Sequence, residues 1–598
     1  MKNILKICIL IPTTALVFAS CEEYLDKAPE SDITEKVVFG NFQSFQGFVE
    51  QLYNCVPDPD KCQAYNLYSF ADENVGSRIY NFDNGNYWAA ENYFYGKAAN
   101  PTATDGRERR VWECAWYAIE QANLALAKID EEGLFVGTGE ERNLLRGQAL
   151  FFRGWFYFDL CRYWGGMPYI DKVLPSEVTY ETGELDRLNF QETAKKMAQD
   201  FRAAADLLPD HWDNTPSGQA TKGHNRDRIN KFMALGYLGK ALLYAASPMI
   251  NEEAVGVNAF DGELCRQAAE AFGELLALRD RTDLYKMEPW ATYTDNFYRH
   301  SWLRPGEKEC IMATTIYDRS RIRWSAIGGT SPSCLGLNSG SDADAPPYSI
   351  IKNYGSANGL PIDDPDNTQY NPADPWANRD PRFYKTIVVD GEKFANFSNI
   401  NCTLEGFNGG YHRNVQNPPT ISGFYYKKFN GLAPTYTSAQ ANSLAEYIPY
   451  LRLADVYLMY AEAVNFGTGG GPKAKASNYS MTAEEAFNVV RARAQMPGMA
   501  AKFTVNKELF FEELIRERAV ELIMEGARFC DLRRWNRNTD PRYINKTVLD
   551  FDRGTDGKPI NMVERVLRTR AVEKKHNWLP IQTKWVNIYA GFRQNPGW

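Results

Sequence analysis

Glu517, Glu521 and Glu525 recur at spacings of four, which on one continuous helix would line three carboxylates along a single face. Two carboxylates roughly 5–10 Å apart are what glycoside hydrolysis uses, one as acid and one as base or nucleophile. The same segment carries Arg516, Arg518, Arg528, Arg533 and Arg534. A guanidinium beside a carboxylate favours the ionised form and lowers its pKa, the reverse of what a general acid requires. The row is therefore expected to be a structural ion-pair network, and Asp455 and Glu462, near Arg452, are expected to behave likewise. No G-x-S-x-G elbow and no G-x-x-x-x-G-K-[ST] loop occurs in the chain.

Metal chemistry has little to work with. His211, His224, His300, His412 and His576 are widely separated and no C-x-x-C is present, which argues against zinc. Asp363, Asp364 and Asp366 offer oxygen ligands for calcium, but no EF-hand spacing follows, and a solvated loop is the expectation. No cofactor is expected. Cys114, Cys161 and Cys265 fall on helical patterns, where a thiol serves as a small apolar filler. Cys55 and Cys62 flank a Pro-rich turn at a spacing that permits a bridge in an oxidising compartment.

Aromatic loops carry the positive chemistry. A sugar ring presents an apolar C–H face and a polar hydroxyl rim; an exposed Trp or Tyr covers the face while Asn, Asp or Arg bonds the rim. Arg78, Tyr80, Asn84, Tyr87 and Trp88 sit together in such a stretch, with no helical stripe to bury the rings. Tyr317, Arg319, Arg321 and Trp324 form a second cluster, and Trp290, Tyr293 and Trp302 are further candidates.

The elements that must hold these loops are helical. Val111, Ala115, Ile119, Ala122, Leu126 and Ile129 step by three or four, as do Leu145, Ala149, Phe152, Phe156, Leu160 and Tyr163, and Phe190, Ala194, Met197, Phe201, Ala204 and Leu208. Segments 229–246, 264–278, 448–464, 483–494 and 509–528 have the same period. The irregular spacing of their starts suits a degenerate tetratricopeptide-like array of helical hairpins, with an irregular helical domain as the alternative. Between Arg279 and Glu446, Pro, Gly, Asn and Asp dominate and no stripe persists; a shorter stretch, Ser69 to Thr104, is similar. The expected fold class is mainly α, with long irregular loop regions and a few short strands, around Ile387 to Val389 and Phe424 to Phe429.

With 67 Lys+Arg against 75 Asp+Glu and no basic block, the chain is a poor partner for nucleic acid, whose affinity rests on phosphate neutralisation. Lys2 and Lys6 precede an apolar run, Ile7 to Phe18, that is too short to span a membrane. Val17-Phe18-Ala19-Ser20-Cys21 resembles a bacterial lipobox, which implies a signal peptide over 1–20 and acylation at Cys21. Glu22-Glu23 resembles the surface-export mark of some Gram-negative lipoproteins.

A family resemblance covers the rest. Tyr24-Leu25-Asp26-Lys27-Ala28-Pro29, Arg146 to Gly154 with Trp164-Gly165-Gly166-Met167-Pro168, and Asn378-Arg379-Asp380-Pro381-Arg382-Phe383 follow one another in order. Leu451 to Ala463, Asn488 to Ala494, Arg516-Glu517-Arg518, Glu525 to Phe529, Asp531 to Trp535, Leu579-Pro580-Ile581 and Gln594 to Trp598 complete the series. Together they resemble the SusD/RagB-type nutrient-binding lipoproteins, departing at Ala519-Val520 and at Trp598, where Tyr is common. The resemblance implies one SusD-like domain over 21–598, made of an N-terminal helical part (21–278), a loop-rich insertion (279–446) and a C-terminal helical part (447–598). It implies a binder rather than an enzyme, lipid-anchored at the outer membrane facing outward, passing glycans or peptides, with oligosaccharide the expected ligand, to a SusC-like TonB-dependent transporter. The 78–88 loop lies where the family carries part of its ligand site. Two other functions stay open at this point: an all-helical glycan hydrolase or lyase using Glu517 or Glu521, and a repeat scaffold that grips protein or peptide.

Overall fold

The longer helices succeed one another along the chain: α1 (Val111–Asp130), α2 (Gly139–Trp164), α3 (Phe190–Leu207), α4 (Lys231–Ala246), α5 (Gly262–Thr282), α6 (Leu453–Phe466), α7 (Ala483–Arg493), α8 (Lys507–Glu521) and α9 (Ala527–Arg534). The computed structural model describes residues 34–57, 70–76, 79–89, 94–95, 110–175, 183, 185–299, 308–313, 332–335, 344–413, 420–441, 445–446 and 449–598. Cys21, Cys62, Arg78, Trp302, Tyr317, Arg319, Arg321 and Trp324 lie outside them, as does the whole of 1–33.

Local sequence explains where the helices begin. Thr138 with Glu141, Asn189 with Glu192, and Thr482 with Glu485 each form a reciprocal capping box, starting α2, α3 and α7. Asn230 and Asp261 cap α4 and α5 with their side-chain oxygens. Each helix through α5 packs on the next, and α5 packs on α6, which also contacts α7 and α8. This is the mainly helical, tetratricopeptide-like scaffold the stripes called for. α2 is enclosed by α1 and α3, and from Phe151 to Cys161 every side chain is buried. Aromatic and aliphatic side chains dominate this interior stretch, and its two charged residues are paired, Arg153 with Asp200 and Asp159 with Arg162. Cys114, Cys161 and Cys265 are buried within this core, as filler thiols should be.

Between α5 and α6 the described residues form turns, short helices and very short strands. β1 (Tyr298–Arg299) pairs with β5 (Ala445–Glu446), β2 (Cys310–Ala313) with β6 (Pro449–Arg452), and β3 (Ile387–Val388) with β4 (Tyr425–Tyr426), all antiparallel. The 387–389 and 424–429 strands are thus present, paired with each other. Residues 449–452, expected to open a helix, are instead strand β6; a Pro at the strand start and pairing to β2 win over the apolar period.

Two other expectations need correction. The 509–528 stripe is two helices, because the chain turns at Met524 (φ 62°) and Gly526 (φ 81°). Glu525 therefore does not continue the Glu517–Glu521 face. A distant group satisfies the backbone at the break: the Met524 amide donates to the Glu73 carboxylate at 3.1 Å. The C-terminal part also holds an antiparallel hairpin of β7 (Asn545–Arg553) and β8 (Pro559–Thr569), absent from the expectation.

Glu73 yields a pH prediction. It is buried, its Oε1 has no hydrogen-bond partner among the described residues, and desolvation pushes its carboxyl up from 4.5 to about 8. The folded state then holds a proton that the unfolded state releases above about pH 4.5, so this residue's contribution to stability falls as pH rises from about 4.5 to about 8. The slope is at most ~1.4 kcal/mol per pH unit. Urea denaturation of the wild type and Glu73→Gln across pH 5–8 should show the difference, variant minus wild type, growing in favour of the variant. A pH-independent difference would mean Glu73 does not titrate in that window.

Candidate functional site

The loop 79–89 alternates inward and outward residues. Ile79, Phe82, Asp83 and Tyr87 are buried, while Tyr80 is 55% and Trp88 40% exposed, with Asn84 and Asn86 exposed beside them. Phe82 stacks on Phe70 with centroids 4.2 Å apart and meets Phe529 of α9 edge-on at 6.0 Å. Asp83 is the electrostatic anchor: its carboxylate accepts from the Lys546 ammonium of β7 at 2.8 and 3.0 Å and from the Arg568 guanidinium of β8 at 2.7 Å. Burial lowers the Lys546 ammonium to about 8, with Asp83 opposing the fall.

Gly85 makes the turn possible. Its φ is +68°, and a Cβ there would lie 2.4 Å from the Ala571 carbonyl oxygen. Below it, the Glu573 amide donates to His576 Nδ1 at 2.8 Å, so the other nitrogen, Nε2, carries the proton and donates to the Gly85 carbonyl at 3.0 Å. Desolvation lowers the His576 pKa, which keeps that neutral tautomer. Trp598 completes the support. It stacks on Tyr87 at 5.9 Å, meets Trp88 edge-on at 6.0 Å, and donates its indole N–H to the Lys575 and Trp578 carbonyls at 3.0 and 3.1 Å.

The result is a firmly held loop that offers two rings and amide side chains to solvent. Arg568 joins them, its guanidinium 5.2 Å from the Tyr80 ring centroid. Arg568 is not among the residues expected from sequence, since it comes from β8, part of the unexpected hairpin. Tyr87 is corrected: it is 1% exposed and underpins the loop instead of facing ligand. Tyr293 is likewise core, buried with the Arg493 guanidinium 4.5 Å from its ring. Trp290 is partly exposed, stacked on Tyr293 at 5.4 Å with the Lys385 ammonium 5.0 Å away.

The carboxylate row belongs to an ion-pair core. Glu517 meets Arg382 at 2.5 Å and Arg491 at 2.9 Å. Glu521 meets Arg382 at 3.0 Å, Arg452 at 2.7 Å and also Arg493. Glu525 pairs with Arg452 at 2.7 Å and Lys428 at 2.6 Å, and Glu309 with Arg452 and Arg493, each at 2.7 Å. Asp455 bonds Lys240 at 3.1 Å and Arg518 at 2.9 Å, while Glu462 takes Arg534 at 2.8 Å and the Trp535 indole at 2.8 Å. Burial alone would raise the Glu517 carboxyl, but Arg382 and Arg491 bring it down to about 2; Glu521 is also held well below its ordinary value. Carboxyls so placed are ionised at neutral pH and have no proton to donate to a glycosidic oxygen. In the acidic loop, Asp364 and Asp366 bind the Lys502 ammonium at 2.5 and 2.8 Å. Among the described residues no group of three His, Cys, Asp or Glu is arranged to hold a metal ion, and no helix is long and apolar enough to cross a membrane.

Comparison with known proteins gives two matching family models. That of the SusD family spans residues 308–598, and one described as starch-binding associating with outer membrane spans 23–224. A SusD-like protein of Bacteroides ovatus is 24% identical over 550 residues, covering 90% of this chain and 84% of that one. A solved SusD-like protein from Bacteroides fragilis superposes with a TM-score of 0.69 at 19% identity, over 96% of this chain and 100% of its own. A SusD-like carbohydrate binding protein from the same organism gives 0.63 at 19%, over 92% and 99%. The two family models take in both the 146–168 helix and turn and the ordered blocks from 378 to 598, and the chain belongs to the SusD/RagB family.

Proposed function

We propose that this protein is a cell-surface glycan-binding lipoprotein that captures oligosaccharide on the Tyr80–Trp88 loop and delivers it to a SusC-like TonB-dependent transporter. The observation that carries the reading is the pair of exposed rings held on a loop that is otherwise locked into the core. Stacking surfaces that do not move on binding lose little conformational entropy. Asn84, Asn86 and Arg568 supply donors and acceptors for the hydroxyl rim. The family description as starch-binding and associating with the outer membrane supports the ligand class and the location. Arg78, Tyr317 and Trp324 remain proposed contacts from outside the described residues. The protein acts as a binder, since its clustered acidic side chains are committed to arginines. Incubating the purified protein with a panel of soluble polysaccharides in native affinity electrophoresis tests the reading. Retardation by at least one glycan without release of new reducing ends is expected; no retardation by any of them, or new reducing ends, would overturn it.

Anchoring is proposed at Cys21, as the N-terminus of a single SusD-like domain following a 1–20 signal. Cys21→Ala should move the protein out of the membrane fraction and abolish palmitate labelling, because an unacylated chain lacks the two or more acyl chains that stable anchoring needs. Labelled, normally fractionating variant would contradict the anchor.

A further inference from the structure

The exposed rings of the 79–89 loop stand over an excess of positive charge. Lys546, Arg568 and Arg570 converge on a single carboxylate, Asp83, at 2.8, 2.7 and 3.6 Å. Among the described residues none of these cations forms an ion pair with any other carboxylate. The Arg570 contact is too long to be a hydrogen bond. Its Nη2 donates to Asn538 at 3.2 Å, and its Nε and Nη1 have no hydrogen-bond partner among the described residues. Neighbouring carboxylates do not make up the difference. Asp72 is held by Arg528 through two bonds of 2.8 Å, and burial pushes the adjacent Glu73 up to about 8, which leaves it mostly protonated at neutral pH. Lys546 feels the imbalance, because both guanidiniums add to the fall that burial imposes on its ammonium.

Charge held in a poorly hydrated base is weakly screened and acts on the surface above it. Arg568 is the cation that reaches that surface. Its Nη1 is fixed on Asp83, its side chain stays 19% exposed, and its guanidinium lies 5.2 Å from the centroid of the exposed Tyr80 ring. A further cation stands beside the other ring: the Lys575 ammonium lies 5.3 Å from Trp598, which meets Trp88 edge-on. Its carboxylate neighbour, Glu573, is exposed and 3.8 Å away. Hydroxyls are served by the amides of Asn84 and Asn86 and need no such charge. A planar guanidinium held in place matches a carboxylate or a sulfate.

We infer that the Tyr80–Trp88 surface selects acidic glycans, with Arg568 taking the carboxylate or sulfate of a sugar whose ring face lies on Tyr80. The inference rests on the glycan-binding reading and narrows it to sugars that carry an anion.

Calorimetry on the full chain tests it with polygalacturonate, alginate, hyaluronan, chondroitin sulfate and carrageenan, each beside its carboxyl-reduced or desulfated counterpart. At least one acidic glycan should bind, and its neutralised counterpart should bind about tenfold more weakly or worse. The carboxyl-reduced and desulfated arms show which anion is taken. Raising NaCl from about 50 to about 500 mM should weaken binding of the acid and leave a neutral sugar unaffected. Arg568→Gln should remove most of the preference, Arg568→Lys should keep part of it, and Trp88→Ala should weaken acid and counterpart alike. Melting curves establish that each variant is folded, and the wild-type comparison carries the test by itself should Arg568→Gln not fold. Counterparts bound as tightly as the acids, or a preference undiminished in folded Arg568→Gln, overturns the inference. Binding of neutral glycans only overturns it and leaves the glycan-binding reading standing, whereas binding of neither kind overturns both.

Discussion

Glu521→Ala should lower the stability of the folded protein by at least about 3–5 kcal/mol, the usual cost of removing one partner from a buried ion pair. Three guanidiniums, from Arg382, Arg452 and Arg493, converge on this one carboxylate at the end of α8, all of them buried. Removing it leaves three guanidiniums close together in a desolvated core with one negative charge fewer to balance them. Arg452 retains Glu309 and Glu525, so the collapse is expected to be local to the junction of α8, β6 and the Asp380–Arg382 turn. Equilibrium urea denaturation at pH 7 measures the loss. Acid should imitate the mutation: Glu517 and Glu521 have lowered folded-state pKa values, so the stability they confer is present above about pH 4.5 and is lost as pH falls through those lowered values, about 2 for Glu517. A Glu521→Ala protein as stable as the wild type would mean the network is not formed.

Asp83→Ala is expected to cost a similar ~3–5 kcal/mol and to weaken glycan binding as well. The Lys546 ammonium is fully buried and depends on Asp83 for its compensating charge, although it also donates to the Asn74 carbonyl at 2.5 Å. Arg568, released from the carboxylate, loses the restraint that holds it over Tyr80. A double variant, Asp83→Ala with Lys546→Met, should recover part of the stability because no unpaired charge then stays buried, yet it should not recover affinity. Stability from urea denaturation and affinity from calorimetry on the same three proteins separate the two effects. Equal stability of the single and double variants would show that Lys546 does not need Asp83.

Helices α1 to α5 were legible because apolar residues recur every three or four positions, and α2 to α5 carry capping side chains at their starts. The hairpin was partly legible, although it was not foreseen: Val548, Leu549 and Phe551 make a short apolar run between polar residues, and Thr555-Asp556-Gly557 closes the turn before a second run. What local sequence does not contain is the identity of distant neighbours. Leu522-Ile523-Met524 continues an apolar stripe, and although Gly526 is a local sign of a turn, the Glu73 carboxylate that receives the freed Met524 amide lies 451 positions away. Tyr87 and Trp88 are adjacent aromatics in one Asn- and Gly-rich loop, and composition cannot tell them apart. Trp598 and His576 bury the first and leave the second in solvent. That the carboxylate row would be ion-paired followed from residue types, although the arginines of its own segment go elsewhere: Arg516 to Glu513, Arg518 to Asp455 and Asp531, Arg528 to Asp72, and Arg534 to Glu462 and Asp531. Which arginine meets which glutamate did not, since Arg382, Arg452 and Arg491 come from three separate stretches.

The central claim is that Trp88 is a binding surface and not a packing residue, and Trp88→Ala tests it by two readings on one protein. With a glycan that retards the wild type, isothermal calorimetry should show the Kd rising about five- to a hundred-fold, the equivalent of ~1–3 kcal/mol for a lost stacked ring. Tm should move little, because the ring is 40% exposed and its loop is held by Asp83, Gly85 and Tyr87 instead. An unchanged Kd together with a large drop in Tm, as expected when a buried Trp is truncated at a cost of ~3–5 kcal/mol, would contradict the account.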